Sequence, residues 1–288
     1  MREMTRYGVL RVLVAAYVAV WSAVRAPAVL DTLDFADRRF DPVGPLAFLD
    51  HPLPGPLLMA AVVVTPIAAA VLASGRREKL AGPTAAVGFL VVTTYRSSWG
   101  QLFHTENLVA LHLVVIAAVP FVSGRGRADG DDDRSWAVDT MAVLTVATYF
   151  VAGVAKLRIS GWAWLDGDVL RHQIAFDNAR KEVLGDTASP FAGWVLQQGW
   201  LLAPAAIMTM VVELAAPLAL LRGRTAALWC GTAWLFHLSI LVFMAILFPY
   251  HLLGIALAPL LPVERLGGTV AGWTGRFRPA STRSVPTG

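Results

Sequence analysis

The sequence predicts an all-α protein: a polytopic integral membrane helical bundle of about eight transmembrane helices, with one interfacial amphipathic helix and no separate soluble domain. Three observations carry this. Of the 288 residues, 56% are hydrophobic and only 15% charged, where a soluble domain carries roughly a quarter charged residues. The apolar residues gather into runs long enough to cross a bilayer, and the charges fall in the short loops between them. Little chain is left over, so residues 1–266 are assigned to one membrane domain and 267–288 to a short flexible cytoplasmic tail.

Met1 to Arg11 is basic (Arg2, Arg6, Arg11) and leads into the apolar run Val12 to Val24. A secretory signal has the same pattern, but more spans follow at once, so this is read as an uncleaved first transmembrane helix. Residues 31–56, with Asp31, Asp34, Asp37 and Asp41 among prolines, form an exposed loop with room for one short surface helix. Leu57 to Ala73 is the second span, closed by the basic turn SGRREK, and Ala81 to Tyr95 is the third. The segment RSSWGQLFHTEN interrupts the pattern before a fourth span, Leu108 to Val122. Ser123 to Ser135 is a turn of glycine and charge.

Trp136 to Leu157 is the fifth span; its 22 residues cover about 33 Å as a helix, enough for the hydrocarbon core. Ile159 to Phe176 then puts Leu165, Val169, Leu170 and Ile174 on one side and Asp166, Asp168, Arg171 and His172 on the other, the pattern of an interfacial helix. A polar connector leads to the sixth span, Trp200 to Leu221. The block Ala226 to Leu261 is too long for one helix and short for two. A turn near Phe248-Pro249-Tyr250 gives spans seven and eight; a long helix plus a re-entrant piece is the alternative.

The net charge of +4 sits in loops and speaks for membrane topology rather than for nucleic acid. Placing both termini in the cytoplasm puts 15 basic residues on the inner side against 7 outside. Trp99, Trp162, Trp164, Trp194 and Trp200 then mark the outer interface. The single cysteine, Cys230, excludes an intrachain disulfide and thiolate-based metal sites, and no histidine set has compact metal-ligand spacing.

The chemistry-bearing residues sort by depth. Lys156 lies one residue before the end of the fifth span, and an amine at that depth is costly. It either snorkels to water or serves as a base, since only lysine, not arginine, becomes a neutral amine by desolvation. His104 opens the fourth span at the same outer side, as a helix-start residue or a catalytic one. His112 lies eight residues further on, near the same helix face and about 12 Å deeper. His237 sits midway along the seventh span at comparable depth. Each of these two either moves protons or ties two helices together. Glu106 is expected to be solvated, and Glu213, placed nearer the cytoplasmic side, to pair locally or bond a neighbouring helix, apart from the outer group.

The string Tyr149-Phe150-Val151-Ala152-Gly153-Val154-Ala155-Lys156-Leu157, followed by a Trp-rich segment, resembles the catalytic helix of the vitamin K-dependent gamma-glutamyl carboxylases and of their bacterial relatives, the horizontally transferred transmembrane (HTTM) family. His104-Thr105-Glu106-Asn107-Leu108 resembles that family's His-initiated helix, and Phe236-His237-Leu238 with Phe243 and Phe248-Pro249-Tyr250 its His-containing helix and Phe-rich turn. The three matches fall within residues 104–250 in the family's order. The resemblance implies Lys156 as the base toward a reduced naphthoquinone (menaquinol or vitamin K hydroquinone), with His104 and His237 as catalytic partners. It also implies O2 and CO2 as possible co-substrates and a glutamate side chain as the acceptor; His112, Tyr149 and Trp99 are the candidate cofactor-binding residues beside them. Two departures bear on this: Ala155 stands where the carboxylases have a second lysine, and their large lumenal domain, which grips the peptide, has no counterpart here.

The expected function is therefore a quinol-dependent membrane enzyme that draws on the lipid bilayer and the quinone pool, with a small secreted peptide as a possible substrate. The competing expectation is a non-catalytic membrane protein assisting maturation or export of such a peptide. A proton-coupled transporter lacks support, since no paired repeats with broken helices are visible.

Overall fold

The computed structural model of the protein describes residues 5–122 and 134–265. Residues 1–4 with Arg2, residues 123–133 of the glycine and charge turn, and the tail from residue 266 lie outside the described residues. Among the described residues all regular structure is helical. Four stretches are long and apolar enough to cross a membrane: Arg6–Asp34, Gly55–Ala73, Ser135–Trp164 and Gly223–Met244.

Helix α1 (Arg6–Leu30) starts at Thr5, whose hydroxyl accepts the Gly8 N–H at 3.1 Å and satisfies one of the open donors of the first turn. It packs antiparallel to α2 (Gly55–Ala73), which opens with proline in its first turn, where a missing N–H costs nothing. The loop between them forms three 3-10 turns rather than a surface helix. Helices α3 (Glu78–Ser97) and α4 (Asn107–Val122) follow, each against its predecessor. Their shared core includes Leu10, Val14, Leu58, Phe89 and Ile116, all without solvent contact.

Helix α5 (Ser135–Ser160) joins this half to a second one. The expected interfacial helix is shorter and later than its sequence pattern. Gly161 and Gly167, both at positive φ, end α5 and frame a 3-10 turn, Gly161–Trp164. Helix α6 (Asp168–Val183) then begins. Its apolar side is not left for lipid. Ile174 is buried with Val195 of α7 (Ala192–Gln197) and Leu202 of α8 (Gly199–Leu214). Hydropathy records an apolar face but not whether protein or lipid covers it. After α8 the chain continues as a 3-10 segment, Ala216–Leu221, into α9 (Gly223–Met244).

The end of α9 is held by α6 and the loop after it. Asn178 Nδ2 donates to the Phe243 carbonyl at 3.1 Å, Lys181 Nζ to the Met244 carbonyl, and Ser189 Oγ to the Val242 carbonyl. These are last-turn acceptors that have no partner within the helix. Asp177 in turn holds Lys181 at 2.7 Å.

Beyond α9 the eighth stretch is not a helical span. It forms one turn, α10 (Pro249–Leu252), then tight turns and a 3-10 turn, Ala258–Leu260. Pro249, Gly254 at φ +74° and Pro259 recur every five residues and deny it a continuous ladder. It runs back beside α9, with His251 against His237, the Leu257 carbonyl near Cys230, and the Pro259 carbonyl bonded to Arg222. Irregular backbone inside an apolar bundle needs partners from elsewhere. Thr145 Oγ1 donates to the Ala256 carbonyl at 2.9 Å and Trp234 Nε1 to that of Leu252 at 2.8 Å. Arg6 donates to the carbonyls of Pro259 and Leu261. The segment contributes Tyr250, Ala256 and Ala258 to the first core and Leu257 and Leu260 to the second.

Candidate functional site

Lys156 reaches its position because Gly153, one turn earlier on the same face of α5, lets α8 come close. A Cβ on Gly153 would lie 2.9 Å from Glu213 Cβ and 3.0 Å from Leu214 Cδ2; the leucine end can turn aside, but Glu213 Cβ, fixed to the backbone of α8, cannot. With the helices this close, Lys156 Nζ is paired with Glu213 Oε1. The two partners differ in exposure: the lysine side chain is 24% exposed and the glutamate 4%. The amine lies 5.1 Å from the centre of the Trp164 ring and 5.9 Å from that of Phe236. Trp164 itself is buried against Ala206 and Met210 rather than at an interface. The second carboxylate oxygen, Glu213 Oε2, is buried and has no hydrogen-bond partner.

This corrects the placement of Glu213. Counting residues along an unbroken helix from Trp200 to Leu221 puts it apart from Lys156. The close crossing of α5 and α8 at Gly153 instead brings the two side chains within reach of each other.

His237 is one side of a compact aromatic group. Its Nε2 lies 2.8 Å from the Tyr149 hydroxyl. Its ring is stacked on His251, with centroids 4.1 Å apart and planes at 28°. Tyr149 also meets Trp229 edge-on at 4.9 Å. Both histidines are 5% exposed, and the Nδ1 atom of each is buried without a partner. The return of the chain beside α9 brings His251 inward. Phe248 packs on His237 at 4.8 Å and on exposed His104 at 5.6 Å, so these two histidines flank one phenyl ring.

His112 has both ring nitrogens engaged. Nε2 lies 3.1 Å from the Met141 carbonyl, which can only accept, so that nitrogen carries the proton. Nδ1 then accepts from the Tyr250 hydroxyl at 2.7 Å. The ring has no solvent contact and ties α4, α5 and α10 together. Trp99 packs with Phe35, Phe40 and Tyr95 beyond α3, a group that shares no residue with the Lys156 cluster. Glu106, expected in solvent, is 5% exposed and accepts from Trp21 Nε1 at 3.1 Å and Thr105 Oγ1 at 2.6 Å.

Beside the Lys156–Glu213 pair lies an apolar cavity of about 530 Å³. It sits between α8 and α9 beneath α6 and α7, with Leu170, Ile174, Leu202, Phe236, Phe243 and Met244 among its walls. Phe236 is common to the cavity and to the surroundings of Lys156, and Val212, next to Glu213, is also in the wall. Its volume is that of ordinary small-molecule sites, and its carbon lining suits a flat hydrocarbon ring with a lipid tail. The Lys156–Glu213 pair thus shares Phe236 with an apolar chamber. A reduced naphthoquinone fits this chamber by size and by lining. Lys156 was legible from sequence; Glu213, His251 and the roof formed by α6 were not.

No curated protein and no solved structure matches the chain. The HTTM domain matches residues 2–261, nearly the whole chain, so the protein belongs to the HTTM domain family.

Proposed function

We propose that the protein is an integral membrane enzyme of the vitamin K-dependent carboxylase type, taking a reduced naphthoquinone from the bilayer's quinone pool and using Lys156 as base. The observation that supports this is the Lys156–Glu213 pair beside Phe236, whose ring also lines the apolar cavity. When bound, the quinol supplies an acidic hydroxyl and, with O2, the driving force to remove a carbon-bound proton before CO2 adds. The chain's own residues do the rest. Lys156 Nζ accepts the hydroxyl proton. The ring of Phe236, the phenyl of Phe243 and the roof of α6 keep water from the reacting atoms. His237, its Nε2 held by the Tyr149 hydroxyl, lies next to Phe236 with ring centroids 5.3 Å apart. His104, outside the buried group, stands at the approach through Phe248.

In this reading the protein is a multi-pass cell-membrane protein with eight crossings, the last non-helical, and cytoplasmic termini. Arg6, Arg222 and Glu264 then share the inner end. The substrate is a small secreted peptide carrying glutamate. The test is incubation of the protein in lipid nanodiscs with menaquinol or vitamin K hydroquinone and O2. Quinone epoxide from wild type, and none from Lys156→Ala or Lys156→Arg, is expected. No epoxide from wild type, or full activity in Lys156→Arg, overturns the enzyme and leaves a membrane protein in which the amine serves only as a charge.

A further inference from the structure

A lysine paired with a buried carboxylate is not a free base. Its proton is shared with the partner, and any proton it accepts from a ligand must displace one. The geometry says where that proton can go. Glu213 is 3% exposed, its Oε1 holds Lys156, and its Oε2 is buried and unpartnered among the described residues. A carboxylate compensated at only one oxygen in an apolar bundle is left with uncompensated charge. Taking up a proton relieves that. Gly153 fixes this arrangement, since any side chain there would strike Glu213 Cβ.

We infer that Glu213 is the terminal acceptor of a two-step proton relay through Lys156, an inference that rests on the quinol-dependent reading above. The ligand O–H bond breaks as an N–H bond forms at Lys156 Nζ. The N–H bond bridging to Glu213 Oε1 breaks as an O–H bond forms there. The ligand leaves with one negative charge, Lys156 stays an ammonium, and Glu213 becomes a neutral acid. Net charge is conserved and no further reactant enters. Glu213 acts through Lys156 and is a positioning residue rather than one touching the ligand. The ammonium left after transfer faces the newly formed anion, and the neutral acid no longer competes for it.

The experiment has two readings on wild type and the Glu213→Gln variant, which keeps shape and a hydrogen bond to Lys156 but takes no proton. Binding of short-chain menaquinol without O2 is followed by quenching of intrinsic tryptophan fluorescence. Infrared difference spectra of the same samples report carboxylate and carboxylic acid bands. The expected result is equal binding within about threefold in both proteins. On binding, wild type gains a carboxylic acid carbonyl band that shifts with 13C-glutamate labelling, and Glu213→Gln shows none. Turnover in Glu213→Gln falls by about 100-fold or more, the scale of a lost acid–base group, with KM little changed. Quinol that binds wild type without producing the acid band overturns the relay and leaves the enzyme reading standing. Quinol that does not bind wild type overturns both. If Glu213→Gln does not fold, the labelled band in wild type decides alone.

Discussion

Replacing Lys156 by methionine removes the amine and leaves its length of hydrocarbon. The structure makes the cost unequal between the two partners. Glu213, 4% exposed, cannot reach water once Lys156 is gone, whereas Lys156, already 24% exposed, can turn outward once Glu213 is gone. Stranding one member of a buried pair costs about 3–5 kcal/mol, and that figure applies to Lys156→Met. Glu213→Gln keeps a hydrogen bond and leaves a lysine with an exit, so about 1 kcal/mol is expected, the worth of an ordinary hydrogen bond. Lys156→Met with Glu213→Leu removes both charges and should recover most of the loss. For a chain of this size about 2 °C of melting temperature corresponds to 1 kcal/mol. The single variants should therefore separate, with Lys156→Met lower by roughly 6–10 °C and Glu213→Gln by roughly 2 °C. Cys230 is the one cysteine and is buried, so labelling by a thiol-reactive fluorophore during a thermal ramp reads unfolding directly. Equal losses in the two single variants, or a double variant no better than Lys156→Met, would refute the argument.

Gly153→Leu should separate α5 from α8 at an overpacking cost of about 1–3 kcal/mol, and adding Leu214→Ala should restore part of it; the same thermal ramp checks both. Phe243→Trp narrows the cavity and should weaken menaquinol binding about tenfold, read by fluorescence titration, while the melting temperature stays within about 2 °C. His112→Phe keeps the ring and strands the Tyr250 hydroxyl and the Met141 carbonyl, with an expected loss of about 1–3 kcal/mol. Asn178→Ala frees the Phe243 carbonyl and should raise hydrogen exchange in the last turn of α9, seen by mass spectrometry, with the interior of the helix unchanged.

The helices of the first half were legible because their apolar runs are bounded by turn residues and charge, and α2 through α4 begin within a few residues of the expected starts. Lys156 was legible because one amine in an apolar run stands out against its neighbours. Its partner was hidden for a physical reason. Depth along a helix can be counted, but the crossing of two helices depends on which side chains are missing at the contact, and Gly153 names no partner by itself. The last stretch failed differently. Pro249, Gly254 and Pro259 were visible, yet hydropathy weighs side chains and not backbone ladders, so a buried non-helical chain reads as a span. The face of α6 carrying Leu170 and Ile174 was assigned to the membrane surface by the same measure.

The returning chain after α9 sets an order of assembly. It is synthesised after every helix it touches, and it reaches into both halves of the bundle at once. Until it arrives, the slot beside α9 holds the hydroxyl of Thr145 and the ring of His112 without their Ala256 and Tyr250 partners, and Arg6 and Arg222 without the Pro259 carbonyl. Their packing is complete only once residues 249–261 lie beside α9. A chain stopped after Met244 would keep all its long helices and lack the segment that packs into both cores at once.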